Sequence, residues 1–86
     1  MSQPQPILST LFSEAFRQLA RNRPVPEIEV KFYPYAGISH KIRLRSGRIY
    51  ARISDIFESA PLDVHRAIAF ILVARLLSKL HHAING

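Results

Sequence analysis

The sequence predicts an α+β domain: an N-terminal amphipathic helix, a three-stranded sheet with a tight hairpin, and a long apolar C-terminal helix. Three observations carry that reading. Apolar residues recur at helical spacing at Leu8, Leu11, Phe12, Ala15, Phe16 and Leu19; three segments between Glu27 and Ile53 alternate apolar with polar; and the stretch after Pro61 is apolar for most of its length. With 86 residues the chain is one domain near the lower limit of independent stability, expected at 8–86 behind a flexible N-terminus at 1–7. A composition 48% hydrophobic and 21% charged is that of a chain able to collapse around a core.

The first helix is expected over 8–21, with Ser9 or Thr10 capping its start and Glu14, Arg17, Gln18 and Arg21 on its polar side. Pro24 and Pro26 end it, because proline lacks an amide donor and biases its predecessor towards extended backbone. The segment 27–33 then alternates, with Ile28, Val30 and Phe32 on one face and Glu27, Glu29, Lys31 and Tyr33 on the other. Segments 39–45 and 48–53 alternate again around Ser46-Gly47, a dipeptide suited to a two-residue hairpin loop. That loop pairs Arg45 with Arg48, Leu44 with Ile49, Arg43 with Tyr50, Ile42 with Ala51 and Lys41 with Arg52. The expected core face of the sheet is therefore Ile28, Val30, Phe32, Ile42, Leu44, Ile49, Ala51 and Ile53.

Asp55-Ile56-Phe57-Glu58 has the shape of a capping box and predicts a short helical turn. A second helix follows over 62–82. Pro61 suits its start, Asp63 the positive end of its dipole, and Lys79, His81 and His82 the negative end, with Asn85-Gly86 as a stop. Its middle, Ala67 to Ala74, is apolar on every side and implies a helix covered all round. A membrane span is excluded by length, since Arg66 and Arg75 enclose eight residues where a span needs roughly 20.

Twelve Lys and Arg against six Asp and Glu give a net charge of +6, which favours an anionic partner such as nucleic acid or an acidic protein surface. The hairpin concentrates that charge. Lys41, Arg43, Arg45, Arg48 and Arg52 surround Tyr50 on the face opposite the core, and like charges facing each other across a ladder repel. Glu27 and Glu29 on a neighbouring strand, solvent, or an anionic ligand would compensate them.

Other chemistries are poorly supplied. The chain has no cysteine, hence no disulfide, thiolate ligand or thiol nucleophile. Its four histidines lack the i, i+4 spacing that brings two rings to one helical face: His81 and His82 are adjacent, His65 is near the other end of the helix and His40 is on the basic strand, so helix-end and surface roles are expected. The serines occupy helix starts, turns and strand ends, outside any Gly-x-Ser-x-Gly elbow, and Asp55, Glu58 and Asp63 suit capping. No glycine-rich phosphate loop is present. No catalytic residue, metal ligand, cofactor or small-molecule substrate is therefore expected. The opening Met-Ser-Gln-Pro-Gln-Pro lacks the marks of an export signal, so a cytoplasmic location is expected.

The order helix, three strands, helix, with Arg48-Ile49-Tyr50-Ala51-Arg52-Ile53-Ser54 leading through a proline-marked loop into the apolar helix, resembles the front half of small SprT-like zincin metallopeptidases over residues 8–80. The resemblance implies a zincin N-terminal-subdomain-like fold. In that family the helix after the hairpin carries His-Glu-x-x-His, two histidines for zinc and a glutamate that activates water. Here the corresponding stretch is Phe70-Ile71-Leu72-Val73-Ala74, so the resemblance implies a degenerate module without metallopeptidase activity. A cleft-lining helix made apolar on that side needs cover, which predicts that it forms a homodimer or docks a partner helix, with self-association through Phe70, Ile71, Val73, Ala74 and Leu77. Two functions follow as expectations: a non-catalytic interaction or scaffold module, or a nucleic-acid-binding module using Lys41, Arg43, Arg45, Arg48, Tyr50 and Arg52.

Overall fold

In a computed structural model, which describes residues 6–34 and 40–85 of the backbone, the chain forms α1 (Pro6–Leu19), β1 (Glu27–Tyr33), β2 (His40–Arg45), β3 (Arg48–Ser54), a 3₁₀ turn (Asp55–Phe57) and α2 (Leu62–Asn85). The arrangement is α+β: an N-terminal helix, a three-stranded mixed sheet and a long C-terminal helix.

The helix α1 starts two residues earlier than its apolar spacing suggests. Proline is well placed at the first helical position, where its missing N–H has no partner to lose, so the helix includes Pro6 and Ile7. Ser9 and Thr10 consequently lie inside the first turns and do not cap the start. The helix closes with the Ala20 N–H donating to the Phe16 carbonyl at 2.8 Å, and Arg21 and Asn22 lie in the turn that follows.

The hairpin has the register that a two-residue loop dictates, from Arg45 opposite Arg48 to Lys41 opposite Arg52, extended by His40 opposite Ile53. Ser46 and Gly47 both have positive φ, 53° and 77°, the backbone of a type I′ turn whose twist matches that of the strands. Strand order is β1-β3-β2, so β3 is central, with β2 antiparallel on one side and β1 parallel on the other. Glu27 faces Arg48, Glu29 faces Tyr50 and Lys31 faces Arg52.

Both helices cover one face of this sheet. Val30, Phe32, Ile49, Ala51 and Ile53 join Leu8, Leu11, Phe12, Ala15 and Phe16 of α1 and Ile68, Ala69, Leu72, Val73 and Leu76 of α2 in one core. Two members of the expected core face are only partly buried, Ile28 and Ile42, and Leu44 is 40% exposed. Leu44 sits near the turn of an edge strand, where there is a neighbour on one side only.

The helix α2 is not covered all round. Ile68, Leu72 and Val73 point into the core, whereas Ala67 and Ala74 are exposed and Ile71 is 57% exposed. One core-facing stripe satisfies the available sheet and α1, and the opposite side of an almost wholly apolar stretch stays in water. The helix runs to Asn85, beyond the expected end at residue 82; the side chains of His81 and His82 lie outside the described residues. No helix among the described residues is long and apolar enough to cross a membrane.

The link between sheet and α2 uses two histidines: His65 sits at a helix end, as expected, but neither it nor His40 is a plain surface residue. His65 is partly buried, and its Nε2–H donates to the Phe57 carbonyl at 2.7 Å, tying the 3₁₀ turn to the start of α2. Its ring also lies 5.9 Å from that of Phe32. His40 is on β2 but on the core side, its ring 5.2 Å from Phe57, and so is not part of the basic face. Pro61 starts α2 by accepting from Val64 N–H at 3.0 Å and His65 N–H at 3.2 Å.

Candidate functional site

Strand alternation sends every second residue away from the core, and no described element packs on that outer face. The outer face presents Glu27, Glu29, Lys31 and Tyr33 from β1, Arg48, Tyr50 and Arg52 from β3, and Lys41, Arg43 and Arg45 from β2. It holds six cations against two carboxylates. All six residues singled out in the sequence, Lys41, Arg43, Arg45, Arg48, Tyr50 and Arg52, are on it.

Tyr50 occupies the middle of the face, on the central strand, with Arg43 opposite on β2 and Glu29 opposite on β1. It is half-buried, whereas Lys41, Arg43, Arg45, Arg48 and Arg52 are exposed. Around it lies an open concavity of ≈ 510 Å³, lined by Lys31, Tyr33, Lys41, Arg43, Tyr50 and Arg52 among others. Its volume is within the range of small-ligand sites.

The charges are graded across the sheet. On the β1 side the carboxylates are matched: Arg48 donates a hydrogen bond to Glu27 in an ion pair, and Lys31 Nζ lies 3.8 Å from Glu29 Oε2. Glu27, by its hydrogen bond and its charge, holds the Arg48 guanidinium above its ordinary pKa, with a smaller contribution from Tyr50. Arg52 lies 5.0 Å from the centroid of the Tyr33 ring, a cation–π contact. On the β2 side Lys41, Arg43 and Arg45 form no ion pair among the described residues. Lys41 therefore faces Arg52 across the ladder with no carboxylate on either among the described residues, while Arg45 faces an Arg48 whose charge is matched by Glu27 on the far side.

Lys31 and Tyr33 belong to this surface although the sequence reading did not count them as site residues. The period-2 pattern of β1 already put them on the polar face. What was missing is that β1 lies beside β3, which brings that face into line with the hairpin's basic face.

The residues expected to mediate self-association do not share one surface. Val73 is fully buried in the core, Phe70 and Leu77 pack partly against it, and Ile71 and Ala74 are exposed. Among the described residues no three of His, Cys, Asp and Glu gather closely enough to hold a metal ion. Compared with family models, curated proteins and solved structures, the chain matches none of them.

Proposed function

We propose that this protein is a nucleic-acid-binding module whose contact surface is the outer face of its sheet. The observation that carries the reading is the placement of six cations against two carboxylates on a face that no described element covers. Burying both helices on the opposite side leaves this face open. A row of cations repelling one another along β2 is relieved by a polyanion that lies over it, and a phosphate backbone supplies evenly spaced negative charge while releasing its counterions. The concavity at Tyr50 adds an aromatic surface among the phosphate-binding groups. The proposed setting is the cytoplasm, and a chain free of cysteine suits that reducing compartment.

Charge reversal tests the reading. Purified protein and an Arg43→Glu/Arg45→Glu double variant are titrated into labelled 20-nucleotide single- and double-stranded probes at low salt, with thermal unfolding of each protein as control. Wild type binds and the double variant does not, although both unfold at similar temperatures because Arg43 and Arg45 are exposed. Equal binding by both proteins would refute the assignment of the surface.

A second reading, a non-catalytic scaffold module of zincin-like ancestry that self-associates through α2, is favoured by one pattern. On the stretch Phe70-Ile71-Leu72-Val73-Ala74, the positions that correspond to the histidines and glutamate of His-Glu-x-x-His are Phe70, Ile71 and Ala74. Ile71 and Ala74 are exposed and Phe70 is half-buried, while Leu72 and Val73 belong to the core. A former cleft side turned apolar fits that distribution. The exposed strip of one isoleucine and small residues is narrow for a stable dimer, which needs about 1,000 Å² or more, so this reading stands second. Sedimentation of wild type and Ile71→Asp tests it: a dimer abolished by the substitution supports it, and a monomer at high concentration sinks it.

A further inference from the structure

We infer that the ligand is a single-stranded nucleic acid that lays its phosphates along β2 and stacks a base on Tyr50. The inference rests on the nucleic-acid reading above and adds strandedness and orientation. Three features of the outer face lead to it.

The first is shape. Duplex readers insert a helix or a narrow ribbon into a groove roughly 12 Å wide. This surface is instead a three-stranded sheet with a concavity of ≈ 510 Å³ at its middle, which has room to receive a group and nothing to insert. The second is the position of the aromatic ring. Tyr50 is on the central strand, with cations in register before and after it, and a ring there has a partner only if base faces are free. In a duplex those faces are stacked inside; in a single strand they are available, and stacking on an aromatic side chain is the usual way such strands are held.

The third feature is the charge gradient, which sets the orientation. The outward side chains of β2 are Lys41, Arg43 and Arg45, all cationic, and none of them pairs with a carboxylate among the described residues. On the other flank of Tyr50, β1 offers Glu29 in register and Glu27 beside Arg48, which repel phosphate. The backbone therefore runs over β2 and its base turns inward to the central strand. Arg52, held over the Tyr33 ring at 5.0 Å, closes the rim of the concavity with a guanidinium that also stacks on bases.

The test separates bases from phosphates. Full-length protein is titrated with a 12-nucleotide single strand, as DNA and as RNA, with the matching duplexes, and with a 12-nucleotide abasic strand that keeps the phosphates and lacks the bases. The expected result is that the better-bound single strand binds at least about 10-fold more tightly than either the duplexes or the abasic strand. Tyr50→Leu should weaken single-strand binding by roughly 5- to 150-fold, the range of one base–aromatic stack. It should leave abasic binding unchanged, and Tyr50→Phe, which keeps the ring, should retain wild-type affinity. Equal affinity for abasic and normal strands, or preference for duplex, would overturn the inference while leaving phosphate binding by this face intact. Absence of binding to every probe would overturn both.

Discussion

Neighbouring residues on the central strand and its partner should separate stability from binding. Ile49 is fully buried on the core face of β3, whereas Arg43, one pair along the hairpin ladder, is exposed on the outer face and forms no ion pair among the described residues. Ile49→Ala removes buried hydrocarbon and leaves a cavity between both helices and the sheet, which costs about 2–5 kcal/mol. The whole stability of a domain this size is about 4–13 kcal/mol at the usual share per residue. Its Tm should therefore fall by at least about 8 °C, using about 4–8 °C per kcal/mol for a chain of this length. Arg43→Ala touches no core contact and should change stability by no more than about 0.5 kcal/mol, or about 4 °C. Binding should show the reverse order. At a temperature low enough that circular dichroism shows Ile49→Ala to be folded, it should bind a labelled single strand as wild type does, while Arg43→Ala binds more weakly and loses about 0.7 from the slope of log K against log salt. The reasoning is refuted if Arg43→Ala lowers Tm as much as Ile49→Ala, or if folded Ile49→Ala has lost its affinity.

Further outcomes follow from the same geometry. Ser46 at φ 53° is a non-glycine residue in the left-handed region, so Ser46→Asn, which tolerates that backbone, should stabilise the hairpin by a few tenths to about 1 kcal/mol. Gly47→Ala should cost about 1–2 kcal/mol although open space surrounds the site, because the cost is backbone strain at φ 77°; thermal unfolding reads both. Glu27→Gln releases Arg48 from its ion pair and should tighten nucleic-acid binding and steepen its salt slope by up to about 0.7. Because Glu27 raises the Arg48 pKa, the contribution of that pair from the arginine side is present at every pH below the guanidinium's unfolded value and is lost only as pH rises through the folded one. No Arg48 titration should therefore appear in stability between pH 5 and 9, a window in which arginine stays charged. His65→Ala removes the hydrogen bond to the Phe57 carbonyl and should cost about 1–2 kcal/mol by denaturant unfolding, with little effect on binding because the His65 ring packs against Phe32 on the core side of the sheet.

The hairpin was fully legible in the sequence because its information is local. Ser46-Gly47 sets a two-residue loop, and the loop sets every pair from Arg45–Arg48 to Lys41–Arg52, including which residues share the basic face. The position of β1 was not legible. Its alternation, Ile28, Val30 and Phe32 against Glu27, Glu29, Lys31 and Tyr33, is the same whichever edge it joins, and a parallel pairing with β3 is made through contacts distant in sequence. For that reason Glu27 and Glu29 could be expected to compensate the cations, yet Lys31 and Tyr33 were not recognised as part of the surface. In α2, a run without polar residues from Ala67 to Ala74 carries no periodicity, so the side facing the core could not be told from the side facing water. Packing against α1 and the sheet decides it, turning Leu72 and Val73 inward and leaving Ile71 exposed. The contacts of the histidines are not legible for a related reason: the turn at Phe57 is local, but the packing of Phe57 against both His40 and His65 joins segments distant in sequence.

The central claim is that the outer face of the sheet binds a phosphate backbone, and the salt dependence of binding tests it most directly. Lys41, Arg43, Arg45 and Arg52 are the hairpin cations without a carboxylate among the described residues. If these four each neutralise one phosphate of a single strand, log K falls against log salt with a slope of about −2.8, so affinity drops roughly 50-fold between 50 and 200 mM salt. In the Arg43→Ala/Arg45→Ala variant the slope should halve to about −1.4, a drop of roughly 7-fold over the same interval. A slope near zero in the wild type, or one that the double substitution leaves unchanged, would contradict the account.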